Sequence, residues 1–148
     1  MGMNFFGTYE NSIHKMRVVI PAPLKEQFSK DSDKKVICTL GEHNSIVIFP
    51  LDNWLLLREK LSNGTEQQRK HWGFLVHWAS TPQELEGPGR VRIPDKLLKR
   101  ADLWDAEKLV IKGQDSFVSL WHPDRYISVV ENEFDEVPES FSFNDIQV

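Results

Sequence analysis

The stretch RVVIP, Arg17–Pro21, returns 73 residues later as RVRIP, Arg90–Pro94. The β-branched residues of each stretch predict a short strand. Each stretch runs into a segment with the apolar spacing of a helix, APLKEQF in the first case and DKLLKRADLW in the second. Proline suits the first turn of such a helix, because its missing N–H is not needed there. The sequence therefore contains two copies of a pattern that predicts a strand followed by a short helix.

The repeat continues beyond these helices. KVICTL, Lys35–Leu40, matches KLVIKG, Lys108–Gly113, at the same offset of 73 residues, and NSIVIF at 44–49 matches SFVSLW at 116–121 at an offset of 72. In the first copy the two strands flank the turn GEHN, which predicts a hairpin. Strand, helix, hairpin and helix thus recur within about 70 residues. Two copies are too few for a solenoid and predict a fused, pseudo-symmetric pair.

Three further elements are predicted outside the repeated strands. FFGTY, Phe5–Tyr9, is rich in strand formers, and LDNWLLLREKL at 51–61 reads as a helix with an N-terminal cap near Asp52 or Asn53. A longer helix is predicted over 66–79, with two apolar faces, one formed by Trp72, Leu75, Val76 and Ala79 and the other by Phe74 and Trp78. Such a helix is expected between two units or at a subunit contact.

These elements predict four parts of the chain. They are a first unit at 1–64, a connecting helix at 65–80, a second unit at 81–130 and an acidic C-terminal tail at 131–148. The tail carries six acids and no base, in a chain of 148 residues whose net charge is −4. Without these six of the 22 acids, 16 acids face 18 bases, so the body is slightly basic. The tail is either a solvated terminus or a segment that docks on a basic face or on a partner through Phe134, Phe141 and Phe143.

Several classes of function are disfavoured by what the sequence lacks. The single Cys38 permits no intramolecular disulfide and no cysteine zinc cluster, and His71 and His77 are not spaced to share a metal on one helix face. No nucleotide-binding loop or nucleophile motif occurs. We therefore expect no enzyme activity, no cofactor, no metal and no small-molecule substrate. No apolar run is long enough to span a membrane, and a cytoplasmic protein without a membrane partner is expected.

The repeated pattern R-x-x-I-P-x-x-L, with the opening FFGTY and the hairpin that ends in SLW, resembles the MraZ family over roughly residues 5–130. The resemblance implies an α+β fold of two tandem, pseudo-symmetric swapped-hairpin β units of AbrB type, packed together with short helices. It also implies a DNA-binding transcriptional regulator of a division and cell-wall gene cluster that assembles into homo-oligomeric rings.

The resemblance further implies an Asp-x-x-x-Arg motif in each unit. In the second unit the motif reads EGPGR, with Glu86 in the acidic position and Arg90 as the arginine. In the first unit the position four before Arg17 is Ile13, and SIHKMR is one residue shorter than the usual pattern. Glu86 and Arg90 are either a structural ion pair that holds the hairpin tip or a pair that faces a ligand.

The predicted contacts to double-stranded DNA come from both hairpins. They are His14, Lys15 and Arg17 in the first and Arg90 and Arg92 in the second. For Lys15 and Arg92, solvated strand charge is the alternative. Each hairpin neutralises only about two phosphates, so tight binding needs an oligomeric ring and direct repeats in the DNA. The expected location is cytoplasmic and nucleoid-associated.

Two alternatives remain open at this stage. The first is a ring-forming scaffold or interaction protein that has lost DNA binding, which the missing acid at Ile13 and the acidic total charge favour. The second is an antitoxin-like protein that binds a partner, because AbrB-type units also serve in that role. Its mark would be a tail that buries its three phenylalanines in another chain.

Overall fold

The computed structural model describes residues 5–30 and 35–138. The strands are β1 (Thr8–His14), β2 (Arg17–Val19), β3 (Lys35–Leu40), β4 (Ile46–Pro50), β5 (Gln83–Glu84), β6 (Arg90–Arg92), β7 (Lys108–Gly113) and β8 (Val118–Trp121). The helices are α1 (Ala22–Lys30), α2 (Leu51–Ser62), α3 (Glu66–Trp78), α4 (Asp95–Arg100) and α5 (Pro123–Arg125). α5 continues as one π-helical segment, Tyr126–Glu131.

The eight strands form one antiparallel sheet in the order β5-β3-β4-β8-β7-β1-β2-β6. Its two edges are joined by the side chain of Gln83 on β5. The Gln83 amide accepts a hydrogen bond from the backbone N–H of Arg92 at 3.1 Å and donates one to the Arg92 carbonyl at 2.9 Å. A side-chain amide thus replaces the missing backbone partner of β6, so the sheet is nearly closed and its edge is protected.

Each unit gives its first strand to the other unit. β1 pairs with β7 of the second unit, and β5 pairs with β3 of the first. Between the units, β2 runs against β6 with Arg17 opposite Arg92, Val18 opposite Val91 and Val19 opposite Arg90. With the repeat offset of 73, Arg17, Val18 and Val19 correspond to Arg90, Val91 and Arg92. Because the two strands pair in opposite order, Val18 lies opposite its own counterpart Val91. A pseudo-two-fold axis therefore passes between these two valines. The predicted α+β fold of two pseudo-symmetric swapped-hairpin units is confirmed.

The repeated motif specifies how each unit fills the shared core. Strand alternation turns Val18 inward and leaves Arg17 and Val19 exposed, and β6 follows the same rule. The apolar positions of R-x-x-I-P-x-x-L are Ile20 and Leu24 in the first copy and Ile93 and Leu97 in the second; all four are fully buried in one cluster. The motif therefore encodes a core-facing strand end and the buried side of the next helix.

A second layer covers the outer face of the sheet. α2 and α3 pack there around Trp54 and Leu75, and the Thr39 hydroxyl donates a hydrogen bond to the Leu75 carbonyl at 2.7 Å. The predicted apolar faces of α3 are partly confirmed: Trp72, Leu75 and Ala79 face this layer and Trp78 contacts the main core. Val76 and Phe74 are instead about half exposed, because the covered stripe is narrower than the apolar spacing predicted.

Two local predictions need correction. The first strand begins at Thr8 and not at Phe5, because Gly7 at φ +100° breaks it and leaves Phe5 in an isolated bridge to Asp115. Helix α2 has Pro50 at its N-cap with no side-chain cap, so the predicted cap near Asp52 or Asn53 is wrong. The Asn53 amide instead donates to the Ser116 carbonyl and ties the two units together.

Two glycine-to-alanine substitutions should have opposite effects on stability. A Cβ at Gly113, the last residue of β7, would lie 2.5 Å from the backbone carbon of Phe5, so Gly113→Ala is expected to cost about 1–3 kcal/mol. A Cβ at Gly73, exposed on α3, would meet nothing within 4 Å, so Gly73→Ala should add about 0.5–1 kcal/mol of stability. Urea unfolding measures both. A Gly113→Ala protein as stable as the parent would contradict the close approach of the N-terminal segment to β7.

Candidate nucleic-acid interface

The two hairpins lie side by side at one edge of the sheet, and their tips stand at opposite ends of the antiparallel strand pair formed by β2 and β6. We call this surface the ribbon; it comprises β2, β6 and the two turns at 15–16 and 87–89. Because Val18 and Val91 are buried, the exposed side of the paired strands carries Arg17, Arg90 and Arg92. Arg17 stands directly opposite Arg92. Like charges in that position repel, so an anion bound at the ribbon would relieve the repulsion.

The first tip is a two-residue turn. His14 pairs with Arg17, and both turn residues have positive φ, +50° at Lys15 and +64° at Met16. This is the conformation that two-residue hairpins favour, although it usually takes Asn or Gly. Met16 is anchored, because its side chain packs against the core and its carbonyl accepts a hydrogen bond from Ile93 N–H. The turn therefore presents Lys15 outward from a fixed base.

The strand register of the first hairpin shows which residue occupies the position that corresponds to the acid of the motif. Counting four residues back from Arg17 reaches Ile13, but Ile13 pairs with Val18 and packs against the core. The residue opposite Arg17 is His14, as Glu86 is the residue opposite Arg90. His14 thus holds the place of the acid in the first unit. The sequence carried one signal for this, the one-residue shortening before Arg17.

The second tip is a three-residue turn held by backbone hydrogen bonds. Glu86 N–H donates to the Arg90 carbonyl at 3.0 Å, and Arg90 N–H donates to the Glu86 carbonyl at 2.8 Å. Gly87 and Gly89 have φ of +50° and +108°, a conformation that glycine adopts without strain. In the described ranges the Glu86 carboxylate and the Arg90 guanidinium form no ion pair. The backbone pairing, and not an ion pair between these two side chains, sets the shape of this tip.

A depression of about 550 Å³ opens between the tips. It is lined by Asn11, Ser12, His14, Lys15, Arg17, Val19, Glu86 and Arg90. Four of the five predicted DNA contacts therefore lie together, and Arg92 lies next to them, opposite Arg17. Within the described part of the chain, none of the four Lys and Arg residues of the ribbon has an ion-pair partner. The ribbon is a basic surface whose cations are available to an external anion.

Asn11, on β1, lines the depression beside the ribbon and was not predicted from the sequence. Its side-chain amide donates a hydrogen bond to the Val19 carbonyl at 2.6 Å, and its side-chain oxygen accepts one from Ser12 N–H at 3.0 Å. The bond to Val19 ties β1 to the end of β2, beyond the two residue pairs that join the strands, and the bond from Ser12 orients the Asn11 side chain. Asn11 therefore fixes the position of the first tip.

This geometry suits contact with a nucleic-acid duplex. A two-stranded ribbon fits the major groove of B-form DNA, where arginine makes paired hydrogen bonds to guanine and both arginine and lysine reach phosphates. Two hairpins that exchange strands, with a paired ribbon between them, place the protein in the swapped-hairpin class of AbrB type.

Comparison with known proteins shows what the chain is similar to. A family model described as "MraZ protein, putative antitoxin-like" matches residues 5–71. The chain is 29% identical over 142 residues to the transcriptional regulator MraZ of Pediococcus pentosaceus, covering 92% of this chain and 95% of that protein. It is 29% identical over 136 residues to the protein of the same name from Thermus thermophilus, covering 90% and 92%. The resemblance to the MraZ family is confirmed and extends over about nine-tenths of the chain.

Two other features are absent from the described ranges, 5–30 and 35–138. No helix there is both long and apolar enough to cross a membrane. No cluster of three or more His, Cys, Asp or Glu side chains there is placed to hold a metal ion.

Cys38 lies in the middle of β3 and is fully buried. Burial raises the pKa of its thiol from 9.0 to about 12, although a hydrogen bond to Ser80 acts in the opposite direction. In the unfolded chain the thiol ionises above about pH 9, whereas in the folded chain it stays protonated up to about pH 12. Its contribution to stability is therefore complete below pH 9 and is lost as the pH rises from 9 to 12.

The stability of the protein should accordingly fall between pH 9 and pH 11 by more than that of a Cys38→Ala variant. The expected difference grows with each pH unit above 9, by an amount on the order of 1 kcal/mol per unit. Urea unfolding of both proteins at pH 8, 9, 10 and 11 measures it, and comparing them removes the contribution of lysine and tyrosine titration. Parallel pH profiles would show that Cys38 ionises in the folded chain as easily as in the unfolded chain.

Proposed function

We propose that the protein is a transcriptional regulator of MraZ type that binds double-stranded DNA through the ribbon. The observation that carries this proposal is the convergence of arginines from both units on one exposed strand pair. Arg17 and Arg92 are held opposite one another at a cost in repulsion, and neither has an ion-pair partner among the described residues. A bound phosphate or base edge would interact favourably with these two arginines and offset their repulsion.

The number of cations on one ribbon limits the affinity of a single copy. Lys15, Arg17, Arg90 and Arg92 would contact only a few phosphates, and the electrostatic part of the affinity scales with that number. A homo-oligomeric ring that presents many ribbons to direct repeats overcomes this limit, because each bound copy raises the effective concentration of the next. We therefore propose ring assembly and repeated sites upstream of a division and cell-wall gene cluster, with the protein in the cytoplasm on the nucleoid.

A second candidate function is a ring-forming scaffold that has lost DNA contact. One observation favours it: His14 stands opposite Arg17 where the family motif implies an acid, so the first tip differs from the motif exactly where DNA contact is proposed. The net charge of −4 points the same way. The scaffold retains the fold and the oligomer but has no preference for its own upstream DNA.

Fluorescence anisotropy with DNA from upstream of the protein's own gene separates the two functions. The regulator should bind this DNA more tightly than a scrambled duplex of equal length, and binding should weaken steeply between two salt concentrations. An intact oligomer that does not distinguish the two duplexes would overturn the proposal in favour of the scaffold.

A further inference from the structure

Three basic side chains form a row across one end of the ribbon. His14 on β1 pairs with Arg17 on β2, and Arg17 pairs with Arg92 on β6. Directly opposite residues of antiparallel strands point to the same face of a sheet, and all three side chains are exposed. Neighbouring strands lie about 5 Å apart, so about 10 Å separates the backbone of His14 from that of Arg92. We call these three residues the cation row.

The pseudo-symmetric positions at the other end of the ribbon carry a different charge. There Glu86 lies opposite Arg90, and Arg90 pairs with Val19. The formal charge of that second row is zero, because the carboxylate offsets the guanidinium and Val19 is apolar. The cation row instead carries two fixed positive charges, and a third when the His14 imidazole is protonated. The end of the ribbon that contains His14 is therefore the better site for an anion.

No carboxylate of the described residues forms an ion pair with His14. The charged groups that strand pairing and the depression place around it are Lys15, Arg17, Glu86, Arg90, Arg92, Glu107 and Lys108. Lys108 is already paired with Glu10, at 3.7 Å between Nζ and Oε1. Four bases and two acids remain, so the surroundings of His14 are positive overall. The part of the acidic tail that contains Phe141 and Phe143 lies outside the described residues and is not among these groups.

Histidine suits such a site because its charge can change near neutral pH. It is the side chain that ordinarily gains or loses a proton between pH 5 and pH 8. Charged histidine and arginine both donate strong hydrogen bonds to phosphate oxygens. A phosphate beside an imidazole favours the charged form of the ring, because opposite charges at close range attract. A phosphate bound at the cation row would therefore be accompanied by a proton on His14.

We propose that the cation row binds a backbone phosphate of DNA and that His14 takes up a proton from solvent on binding. This inference rests on the proposed DNA-binding function and adds a dependence on pH to it. A site that takes up a proton with its ligand gains affinity as the pH falls. The affinity for DNA therefore rises from pH 8 to pH 6, and it levels off once the imidazole is charged in the free protein as well.

Fluorescence anisotropy of the full-length protein with its upstream duplex, at pH 8, 7 and 6 and one salt concentration, measures this effect. The affinity should rise at least about threefold from pH 8 to pH 6. His14→Gln should lose most of this rise, because glutamine gains no proton in that range. His14→Lys, which is charged at all three pH values, should depend little on pH and bind more tightly than His14→Gln. His71→Gln is the matched control, since it removes an exposed histidine on α3, and it should keep the full rise.

Titration calorimetry in two buffers of different ionisation enthalpy counts the protons taken up. At pH 7 the uptake should be larger for the parent and for His71→Gln than for His14→Gln, by up to about one proton per bound chain. Specific binding with the same pH profile and the same proton uptake for the parent and His14→Gln would overturn this inference and leave the regulator proposal intact. Absence of binding to the upstream and scrambled duplexes at all three pH values would instead overturn the regulator proposal and, with it, this inference.

Discussion

Replacing Arg17 by alanine should abolish tight binding to the proposed repeated DNA sites and leave the fold and the proposed oligomer intact. Arg17 is exposed, and no described residue forms an ion pair with it, so its removal leaves no buried group unsatisfied. Losing one arginine contact is expected to cost about 1–3 kcal/mol for each bound copy. Copies that bind the same DNA together add their losses, so even two bound copies weaken binding by about 2–6 kcal/mol.

Arg58→Ala is the matched control for this prediction. It removes the same charge from an exposed position on α2, away from the ribbon. The dependence of binding on salt should become shallower for Arg17→Ala and for its pseudo-symmetric counterpart Arg90→Ala, because fewer counterions are released. Equal affinities for Arg17→Ala and Arg58→Ala, with intact oligomers in both, would show that the ribbon is not the surface that binds DNA.

Phe5→Ala should be among the most destabilising single changes in the chain. Phe5 is fully buried, its ring centroid is 4.5 Å from that of Phe28, and its backbone exchanges hydrogen bonds with Asp115 of the second unit. Its side chain therefore joins the N-terminal segment to the shared core. Truncating a buried phenylalanine to alanine costs about 3–5 kcal/mol, a large part of the stability of an ordinary domain.

Phe6→Ala is the control for this change, because the neighbouring residue differs mainly in exposure. The Phe6 side chain is 62% exposed, so its loss should alter stability by no more than about 0.5 kcal/mol. Urea unfolding of the two variants measures the difference. Similar losses in both would mean that the N-terminal segment does not insert its fifth residue into the core.

The sequence predicted the fold because the determining signals are local and repeated. Ile20 and Leu24 recur as Ile93 and Leu97 at one spacing, and that pattern specifies a strand end and a buried helix side in each unit. The exchange of β1 and β5 between units is not local. It depends on which strands pair across the sheet, and no residue pattern in one strand specifies its partner. The resemblance to a known family, and not periodicity, supplied that part.

Most residues of the candidate site were predicted from the sequence, but their arrangement in the structure was not. Lys15, Arg17 and Arg90 were identified from motif and charge, and the structure brings them around one depression. The place of His14 opposite Arg17 was not predicted, because it depends on the turn having two residues with positive φ and neither of them is glycine or asparagine. The role of Gln83 in joining β5 to β6 was also missed, since a side chain that substitutes for a strand leaves no pattern.

The central claim is that one ribbon binds DNA weakly, whereas many copies of the protein acting together bind repeated DNA sites tightly. The most direct test measures affinity, at one fixed salt concentration, for duplexes of equal length that carry one, two or three copies of the site. The account predicts weak binding to one copy and a steep gain with each added copy, which should disappear when the copies are moved out of their natural spacing. An affinity that does not change with the number of copies would contradict it.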